Sequence, residues 1–371
     1  MRHKLLITTA LIGIFGLFIY LSCCDDCPTC PGNIEPQPLG NYRCYICDAY
    51  SNIIVSIDTP ADTVVDSIHT DYMPYDFFVT PDGDKLLVSN FEMQSTTILS
   101  TADLSNIGSL DMYGEYYFDG GDNYCLCNSL LDDKIYFIDP ITFVPYDSIP
   151  RLTRFGCLDT VDNVFFGRKL AVDSNGNSVE QNVIFKIDCD SRELADSFVV
   201  MTEDTQMPVL VHRLVYNGKT KDLFFHGYEN VDLSYLYRYN VTTRSLDRMI
   251  ETRGGYGDVA ISIDRKELYV SDPGVPVFGI APLEYLMIFD SESGEMVSTV
   301  SALVYPELEH TYTGRGIICP TPDGRRLYVG AESYTGWGPA VVIDLEDRVI
   351  IEVLDIFNNA NCSYIAIGAA I

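Results

Sequence analysis

The sequence predicts an all-β fold: a seven-bladed β-propeller with four-stranded antiparallel blades, whose ring is closed by the C-terminal strand joining the N-terminal blade. Three observations lead there. A strand, tight turn and second strand recur, as "TPDGDKLLVSN" from Thr80 and "TPDGRRLYVG" from Thr321. A following strand that ends in an Asp, Asn or Ser residue recurs seven times. Alternating β-branched and aromatic residues fill these segments, and no long amphipathic helix interrupts them.

The third strand of each unit sets the period of the repeat. Its copies end at intervals of 39 to 54 residues, which suits a propeller blade of four strands. Asp, Asn and Ser suit this position because their side chains bond the backbone of the tight turn that follows. The seven strand ends are Asp58, Ser100, Asp139, Asp188, Asn240, Asp290 and Asp344.

The two ends of the repeat region complement each other. The first copy begins with a second strand, "YRCYICDA" at 42–49, and the last element, "CSYIAIGAAI" at 362–371, reads as a first strand without a partner of its own. Pairing the two would complete one blade and remove two exposed sheet edges. A disulfide between Cys44 and Cys362 would lock this seam, although buried free thiols are the simpler interpretation of the cysteines.

Three copies, "PDGDKLLVSN", "DRKELYVSD" and "PDGRRLYVG", resemble the YVTN-type seven-bladed propeller repeats of exported proteins. The resemblance covers residues 42–371 in architecture, while the turns of the remaining blades depart from the signature. It implies the fold and export. Because the family includes binding modules, scaffolds and a few enzymes, it implies no particular chemistry.

The N-terminus predicts export and a lipid anchor. Residues 1–22 have a basic start and an apolar run, and they resemble a lipoprotein-type signal peptide that ends beside Cys23 and Cys24. Either cysteine could carry the lipid, and an uncleaved membrane anchor stays open as the alternative. Residues 23–41 are proline-rich and lack apolar periodicity, which indicates a flexible linker. We therefore expect an exported protein of the cell envelope, lipid-anchored to a membrane.

The charge of the chain restricts its partners. The 371 residues carry 24 Lys and Arg against 53 Asp and Glu, a formal net charge of −29. Such a field repels nucleic acid and anionic headgroups. We expect no nucleic-acid partner, and a monomer that contacts the membrane only through its N-terminal lipid.

The longest connections predict a binding face. They are the connections between second and third strands and those between blades, which open on the same rim of the ring. Aromatic residues of the types that anchor interfaces occur in two of these loops, although they could instead cap the blade ends. The interpretation favours an envelope-tethered binding or scaffold propeller, with an envelope protein, peptide or glycan as its partner. The rim candidates are Tyr305, Tyr312, Tyr334 and Trp337.

The alternative is an enzyme at the mouth of the central channel. The entry residues of the innermost strands include carboxylates and a histidine that could hold a divalent cation, as in metal-dependent, lactonase-like hydrolases. The same set contains arginines, so an ion network that holds the ring is the simpler interpretation. No catalytic residue and no cofactor are predicted, and a divalent cation stays open. The channel-mouth candidates are Asp76, Glu115, Arg154, His212, Asp258 and Arg315.

Overall fold

The computed structural model describes most of the chain from Tyr42 onward, and every regular element in that part is a β-strand. The described residues are 42–48, 51–70, 73–119, 123–132, 134–150, 154–172, 178–201, 209–230, 233–252, 257–271, 286–300, 312–313, 317–330, 332–333, 340–354 and 364–369. The signal segment, the linker, Cys23 and Cys24 lie outside them.

Seven four-stranded antiparallel sheets form the blades of a β-propeller, as predicted. From the innermost strand outward, blade 1 contains β30 (Tyr364–Ala369), β1 (Tyr42–Asp48), β2 (Ile53–Asp58) and β3 (Thr63–His69). Blade 2 contains β4 (Pro74–Val79), β5 (Lys85–Asn90), β6 (Ser95–Ser100) and β7 (Asn106–Leu110). Blade 3 contains β8 (Gly114–Phe118), β9 (Cys125–Ser129), β10 (Lys134–Ile138) and β11 (Pro145–Pro150). Blade 4 contains β12 (Arg154–Asp159), β13 (Val164–Val172), β14 (Ser178–Asp188) and β15 (Glu193–Val199).

The remaining three blades follow the same order. Blade 5 contains β16 (Leu210–Asn217), β17 (Asp222–Asn230), β18 (Leu233–Asn240) and β19 (Leu246–Thr252). Blade 6 contains β20 (Val259–Ile261), β21 (Glu267–Ser271), β22 (Leu286–Asp290) and β23 (Met296–Val300). Blade 7 contains β25 (Ile318–Pro320), β26 (Arg326–Gly330), β28 (Ala340–Asp344) and β29 (Val349–Leu354). Two short strands, β24 (Tyr312–Thr313) and β27 (Glu332–Ser333), form a separate pair.

The C-terminal strand closes the ring, which confirms the predicted seam. β30 pairs antiparallel with β1, and it contacts the innermost strands of both blade 2 and blade 7. In this register Cys44 lies opposite Ile367 and Cys47 lies opposite Tyr364. Cys362 lies outside the described residues, so its bridge to Cys44 stays a prediction.

The turns that follow the third strands behave as the sequence predicts. Asp290 Oδ1 accepts hydrogen bonds from the backbone N–H groups of Glu292 and Ser293, at 3.1 and 2.7 Å. Asp344 does the same for Glu346 and Asp347. A polar side chain at the strand end thus replaces backbone partners in the turn.

These turns share a left-handed residue four positions after the strand end. The backbone φ there lies between 49° and 78°, and the register between the third and fourth strands shifts by one residue just before the turn. A β-bulge of this kind increases the local twist, which suits a blade whose outer strand turns away from the inner one. The seven residues are Asp62, Leu104, Phe143, Arg192, Arg244, Gly294 and Arg348.

The hydrophobic core lies between adjacent blades. One cluster joins Val55 of blade 1 to Tyr328 and Val342 of blade 7, and similar clusters join other neighbouring blades. The second and third strands are largely buried, whereas the outermost strands, such as β3, are exposed along most of their length. Burying one large apolar side chain stabilises the fold by about 1.5–3 kcal/mol, so packing between blades holds the ring together.

Antiparallel pairing gives the ring two faces, which we name by their connections. The turn face carries the links between first and second strands and between third and fourth strands. The loop face carries the links between second and third strands and between blades. Within the part of the chain that the structure describes, no helix is long and apolar enough to span a membrane.

Candidate functional site at the loop face

The mouth of the channel on the loop face is built by the first residues of the innermost strands. Three of these strands, β4, β12 and β16, have a register shift at their entry. Bulges are common beside functional sites because they redirect side chains out of the regular alternation. At β4 the shift lies between Pro74 and Asp76, and it places Asp76 at the mouth.

Asp76 holds its proton near neutral pH. Burial raises the pKa of its carboxyl to about 7, and the Glu115 carboxylate adds to the effect, while Arg213 opposes it. Its Oδ1 accepts one hydrogen bond, from the backbone N–H of Phe77 at 2.9 Å. A carboxyl of this kind can donate or accept a proton at neutral pH.

Glu115 lies at the centre of a hydrogen-bonded group that joins blade 3 to blade 4. Its Oε2 accepts from the Tyr117 hydroxyl at 2.7 Å and from Asn128 Nδ2 at 3.2 Å. The Tyr117 oxygen in turn accepts from the backbone N–H of Gly156 at 3.1 Å. Burial, together with the nearby Glu115 charge, raises the pKa of Tyr117 well above its usual value, so the phenol stays protonated.

Asp258 joins blade 6 to blade 7 on the other side of the mouth. Its two carboxylate oxygens accept from the backbone N–H groups of Val259, at 2.9 Å, and Ile318, at 3.0 Å. Arg213 Nε lies 3.9 Å from Asp258 Oδ1. Burial raises the pKa of Asp258 while Arg213 lowers it. This carboxylate therefore has structural partners on both sides.

The structure brings three of the six channel-mouth candidates into one electrostatic group. The charges of Glu115 and Asp258 both raise the pKa of Asp76. Arg154 and His212 lie in β12 and β16, but their side chains are outside the described set, as is the whole of Arg315. The importance of these six residues for function stays a prediction.

Arg213 is the residue of the mouth that the sequence analysis missed. Its charge acts on both Asp76 and Asp258, and its neighbour His212 was selected instead. The reason is the shift between Val211 and Leu214 in β16, which breaks the alternation used to align the repeats. The bulge is indicated in the sequence by two consecutive polar residues within the otherwise apolar stretch "VLVHRLVY".

His226 lies behind the mouth and was also not anticipated. It is fully buried on β17, and neither ring nitrogen makes a hydrogen bond within the described part of the chain. Burial lowers its pKa to about 4, so the ring is neutral at physiological pH. A side chain on Gly257 would come within 2.8 Å of its Nε2 and 2.4 Å of the Ser271 carbonyl oxygen. Only glycine fits between these groups.

The described residues contain no group of three or more His, Cys, Asp or Glu side chains that could hold a metal ion. At the mouth, the Arg213 guanidinium supplies positive charge beside Asp258. A metal at this position would have to replace Arg213 as the partner of that carboxylate. A divalent cation, which the sequence analysis left open, therefore stays a proposal.

Two of the long loops meet on the loop face. β24, in the connection from blade 6 to blade 7, pairs antiparallel with β27, which follows the second strand of blade 7: Tyr312 lies opposite Ser333 and Thr313 opposite Glu332. Of the rim candidates, Tyr312 belongs to this pair by its backbone. Tyr305, Tyr334 and Trp337 lie outside the described residues.

Comparison with solved structures identifies the fold and nothing finer. Kuenenia stuttgartiensis hydrazine synthase matches with a TM-score of 0.60 at 15% identity, over 81% of this chain and 91% of that one. A functionally unknown protein from Desulfotomaculum acetoxidans matches with a TM-score of 0.58 at 12% identity, over 89% of this chain and 99% of that one. The dihydro-heme d1 dehydrogenase NirN, in complex with DHE, matches with a TM-score of 0.57 at 13% identity, over 91% and 77%.

These matches support a seven-bladed propeller. No protein-family model matches the chain, and no curated protein matches it. At such low identity, similarity of fold carries no information about activity.

Proposed function

We propose that this chain is an exported, lipid-anchored propeller that binds an envelope protein, peptide or glycan through its loop face. The lipid would attach at Cys23 or Cys24, and the linker at 23–41 would hold the ring away from the membrane. The YVTN-type repeats and the signal-like N-terminus support export. The net charge of −29 favours a partner that is neutral or basic at its contact surface.

The observation that carries the proposal is the pairing of β24 with β27. Two loops from different connections hold each other by main-chain pairing, so they form one surface instead of two independent segments. Ordering before binding reduces the entropy lost on association, which is the usual advantage of a preorganised binding surface. The turn face has no comparable pair among the described residues.

Further apolar anchors lie on the loop face of blades 2 and 3. Phe91 is 54% exposed, and its ring lies edge-on to the buried ring of Tyr113, with centroids 6.2 Å apart. Met93, in the same connection as Phe91, and Leu131, in the corresponding connection of blade 3, are also exposed. An exposed aromatic ring that already packs against a buried ring loses little rotamer freedom on binding. Such residues often contribute most to interface energy.

The test is recovery of partners from an envelope extract with the full-length chain as bait. We expect Phe91→Ala combined with Tyr312→Ala to reduce partner recovery at least tenfold. The matched control is Ile141→Ala combined with Val161→Ala, because both side chains are exposed apolar residues on the turn face. Equal recovery by the two double variants would contradict the proposal, whereas loss in the loop-face variant alone would support it.

A second candidate function, a hydrolase at the channel mouth, is favoured by one observation. Asp76 has a pKa of about 7 beside the Glu115 carboxylate, at the open end of the channel. A carboxyl group that titrates near neutral pH beside a second carboxyl group is suited to acid–base catalysis, with Asp76 as the proton donor and Glu115 as the acceptor. A metal-dependent version would add a divalent cation that activates water near Asp76 and Asp258.

Thermal stability of the full-length chain with EDTA, and then with Ca²⁺, Mg²⁺, Mn²⁺ or Zn²⁺, tests the metal version. A cation at one hundred times its Kd adds about 2.7 kcal/mol to the stability of the folded state. A rise in Tm that disappears in Asp76→Ala would support the metal-dependent hydrolase. If none of the four cations raises Tm, the metal-dependent hydrolase is contradicted, and the binding proposal is unaffected.

A further inference from the structure

A pocket of about 550 Å³ lies on the turn face, at the boundary between blades 3 and 4. Pockets that hold small organic ligands usually measure about 300–1,000 Å³. The walls come from the turns that link the first two strands of each blade, from the last turn of blade 4 and from the start of β11. The lining side chains that could contact a ligand include Asp119, Asn123, Tyr146, Asn163, Asp190 and Arg192.

Each carboxylate in the pocket is oriented by a side-chain amide. Asn123 Nδ2 donates to Asp119 Oδ2 at 2.7 Å, and Asn163 Nδ2 donates to Asp190 Oδ1 at 2.5 Å. The Tyr124 hydroxyl donates to Asn163 Oδ1, which sets the direction of that amide. The pocket therefore presents hydrogen-bond acceptors and donors in fixed positions on its inner walls.

The outer wall combines a cation with an aromatic ring. The Arg192 guanidinium lies over the Tyr146 ring, 4.9 Å from the centroid, and its Nη1 is 3.5 Å from Asp147 Oδ2. Arg192 occupies the left-handed position of the last turn of blade 4, and its side chain reaches Tyr146 and Asp147 of blade 3. Stacking and pairing leave a planar group with several N–H donors at the edge of the pocket.

The neighbouring boundary between blades 4 and 5 shows why this pocket is open. Lys221 occupies the left-handed position in the first turn of blade 5, and its ammonium bonds both oxygens of Asp162 at 2.8 and 2.6 Å. Asn163 occupies the corresponding position in blade 4, with φ of 51° against 63° for Lys221. Where the next boundary has a long cationic side chain that crosses to the neighbouring blade, this one has a short amide.

We propose that this pocket binds a neutral saccharide. Sugar hydroxyls both donate and accept, so they match walls that alternate carboxylates, amides and a guanidinium better than an apolar or singly charged ligand does. Two carboxylates against one arginine, on a chain of net charge −29, disfavour phosphorylated or acidic sugars. The site lies on the face opposite the proposed partner surface and does not depend on it.

Binding of the full-length chain to an array of neutral and charged glycans tests this inference, followed by titration calorimetry with the best neutral glycan. Asn163→Lys should fill the pocket and weaken binding at least tenfold. This variant should fold, because Lys221 already occupies the same turn position in blade 5. Asp190→Ala should weaken binding by a similar factor.

The matched control is Glu346→Ala, since Glu346 occupies in blade 7 the turn position that Asp190 occupies in blade 4, and it should leave affinity unchanged. Spermidine is included as a cationic probe. Failure of every neutral glycan to bind, an unchanged affinity in Asn163→Lys, or binding of spermidine alone would each overturn the proposal. Loss in the two pocket variants with retention in Glu346→Ala would establish it.

Discussion

The two faces of the ring differ in how they use polar side chains. On the turn face, carboxylates and amides at strand ends bond the backbone of their own turns, and cations cross from one blade to the next, as Lys221 does to Asp162. On the loop face, burial raises the pKa of Asp76 to about 7 and lowers that of His226 to about 4. The repeated residues thus stabilise the turn face, while the loop face carries ionisable groups with shifted pKa values.

This difference shows where function can vary without loss of the fold. Turn-face residues satisfy local backbone groups in each repeat, so their contribution is structural. Buried ionisable groups with shifted pKa values reduce stability in part of the pH range, and they concentrate at functional sites. The pocket between blades 3 and 4 is an exception on the turn face, because Asn163 occupies the turn position from which Lys221 crosses to the neighbouring blade.

Replacement of two glycines should give the largest difference between the faces. Gly257→Ala on the loop face would put a Cβ 2.4 Å from the Ser271 carbonyl oxygen, so we expect a loss of about 3 kcal/mol in unfolding free energy. Gly324→Ala on the turn face meets nothing within 4 Å and costs only the left-handed backbone strain, about 1 kcal/mol. Urea unfolding of both variants measures this. Equal losses would show that the mouth is not tightly packed around His226.

His226 and Asp76 on the loop face should make opposing contributions to the pH dependence of stability. His226 has a lowered pKa, so its contribution to stability is present above pH 6.5 and is lost as pH falls toward 4. Asp76 has a raised pKa, so its contribution is present below pH 3.8 and is lost as pH rises through about 7. Between pH 5 and pH 7.5 these trends oppose each other, each by about 2 kcal/mol.

Single variants should separate the two trends. His226→Leu should become less stable as pH rises from 5 to 7.5, because the Asp76 contribution is no longer opposed by that of His226. Asp76→Asn should become more stable over the same interval, because the His226 contribution is no longer opposed by that of Asp76. Urea unfolding midpoints at the two pH values measure both slopes. Slopes of the same sign would contradict the assigned protonation states.

The seam that closes the ring should depend on a partly buried ion pair more than on exposed ones. Arg326 of blade 7 bonds the Thr59 carbonyl and Asp62 of blade 1, at 2.6 Å from the carboxylate. Arg326→Ala should cost about 1–2 kcal/mol because it leaves Asp62 buried without its cation.

The matched control for the seam is Lys219→Ala, which breaks an exposed ion pair with Glu292 and should cost less than about 1 kcal/mol. Thermal unfolding measures both changes. An equal or larger effect for Lys219→Ala would contradict the expected contribution of the Arg326–Asp62 ion pair.

Much of the fold was predictable because the repeat depends on local chemistry. Asp290 and Asp344 end strands and bond the following turns, so their identities reveal the period. The closing strand could be predicted because each end of the repeat region has a strand without a partner of its own, and β30 pairs with β1 as predicted.

The site was less predictable because bulges and long-range contacts determine it. A register shift in β16 breaks the alternation of the repeat beside Arg213, whose charge acts on Asp76 and Asp258, and the prediction named only its neighbour His212. Nothing near His226 in the sequence indicates that Gly257, from the next blade, would bury it. The open pocket depends on Asn163 standing where a neighbouring blade has Lys221, and this is visible only once the turns are superposed.

The most direct test of the loop face as the binding surface is photocrosslinking in intact cells. A photoreactive amino acid at position 91, on the loop face, is compared with one at position 141, on the turn face, where the native Ile141 is 67% exposed. We predict discrete higher-mass adducts from position 91 and none of the same mass from position 141. Adducts from position 141 alone, or the same adducts from both, would contradict the assignment of the loop face.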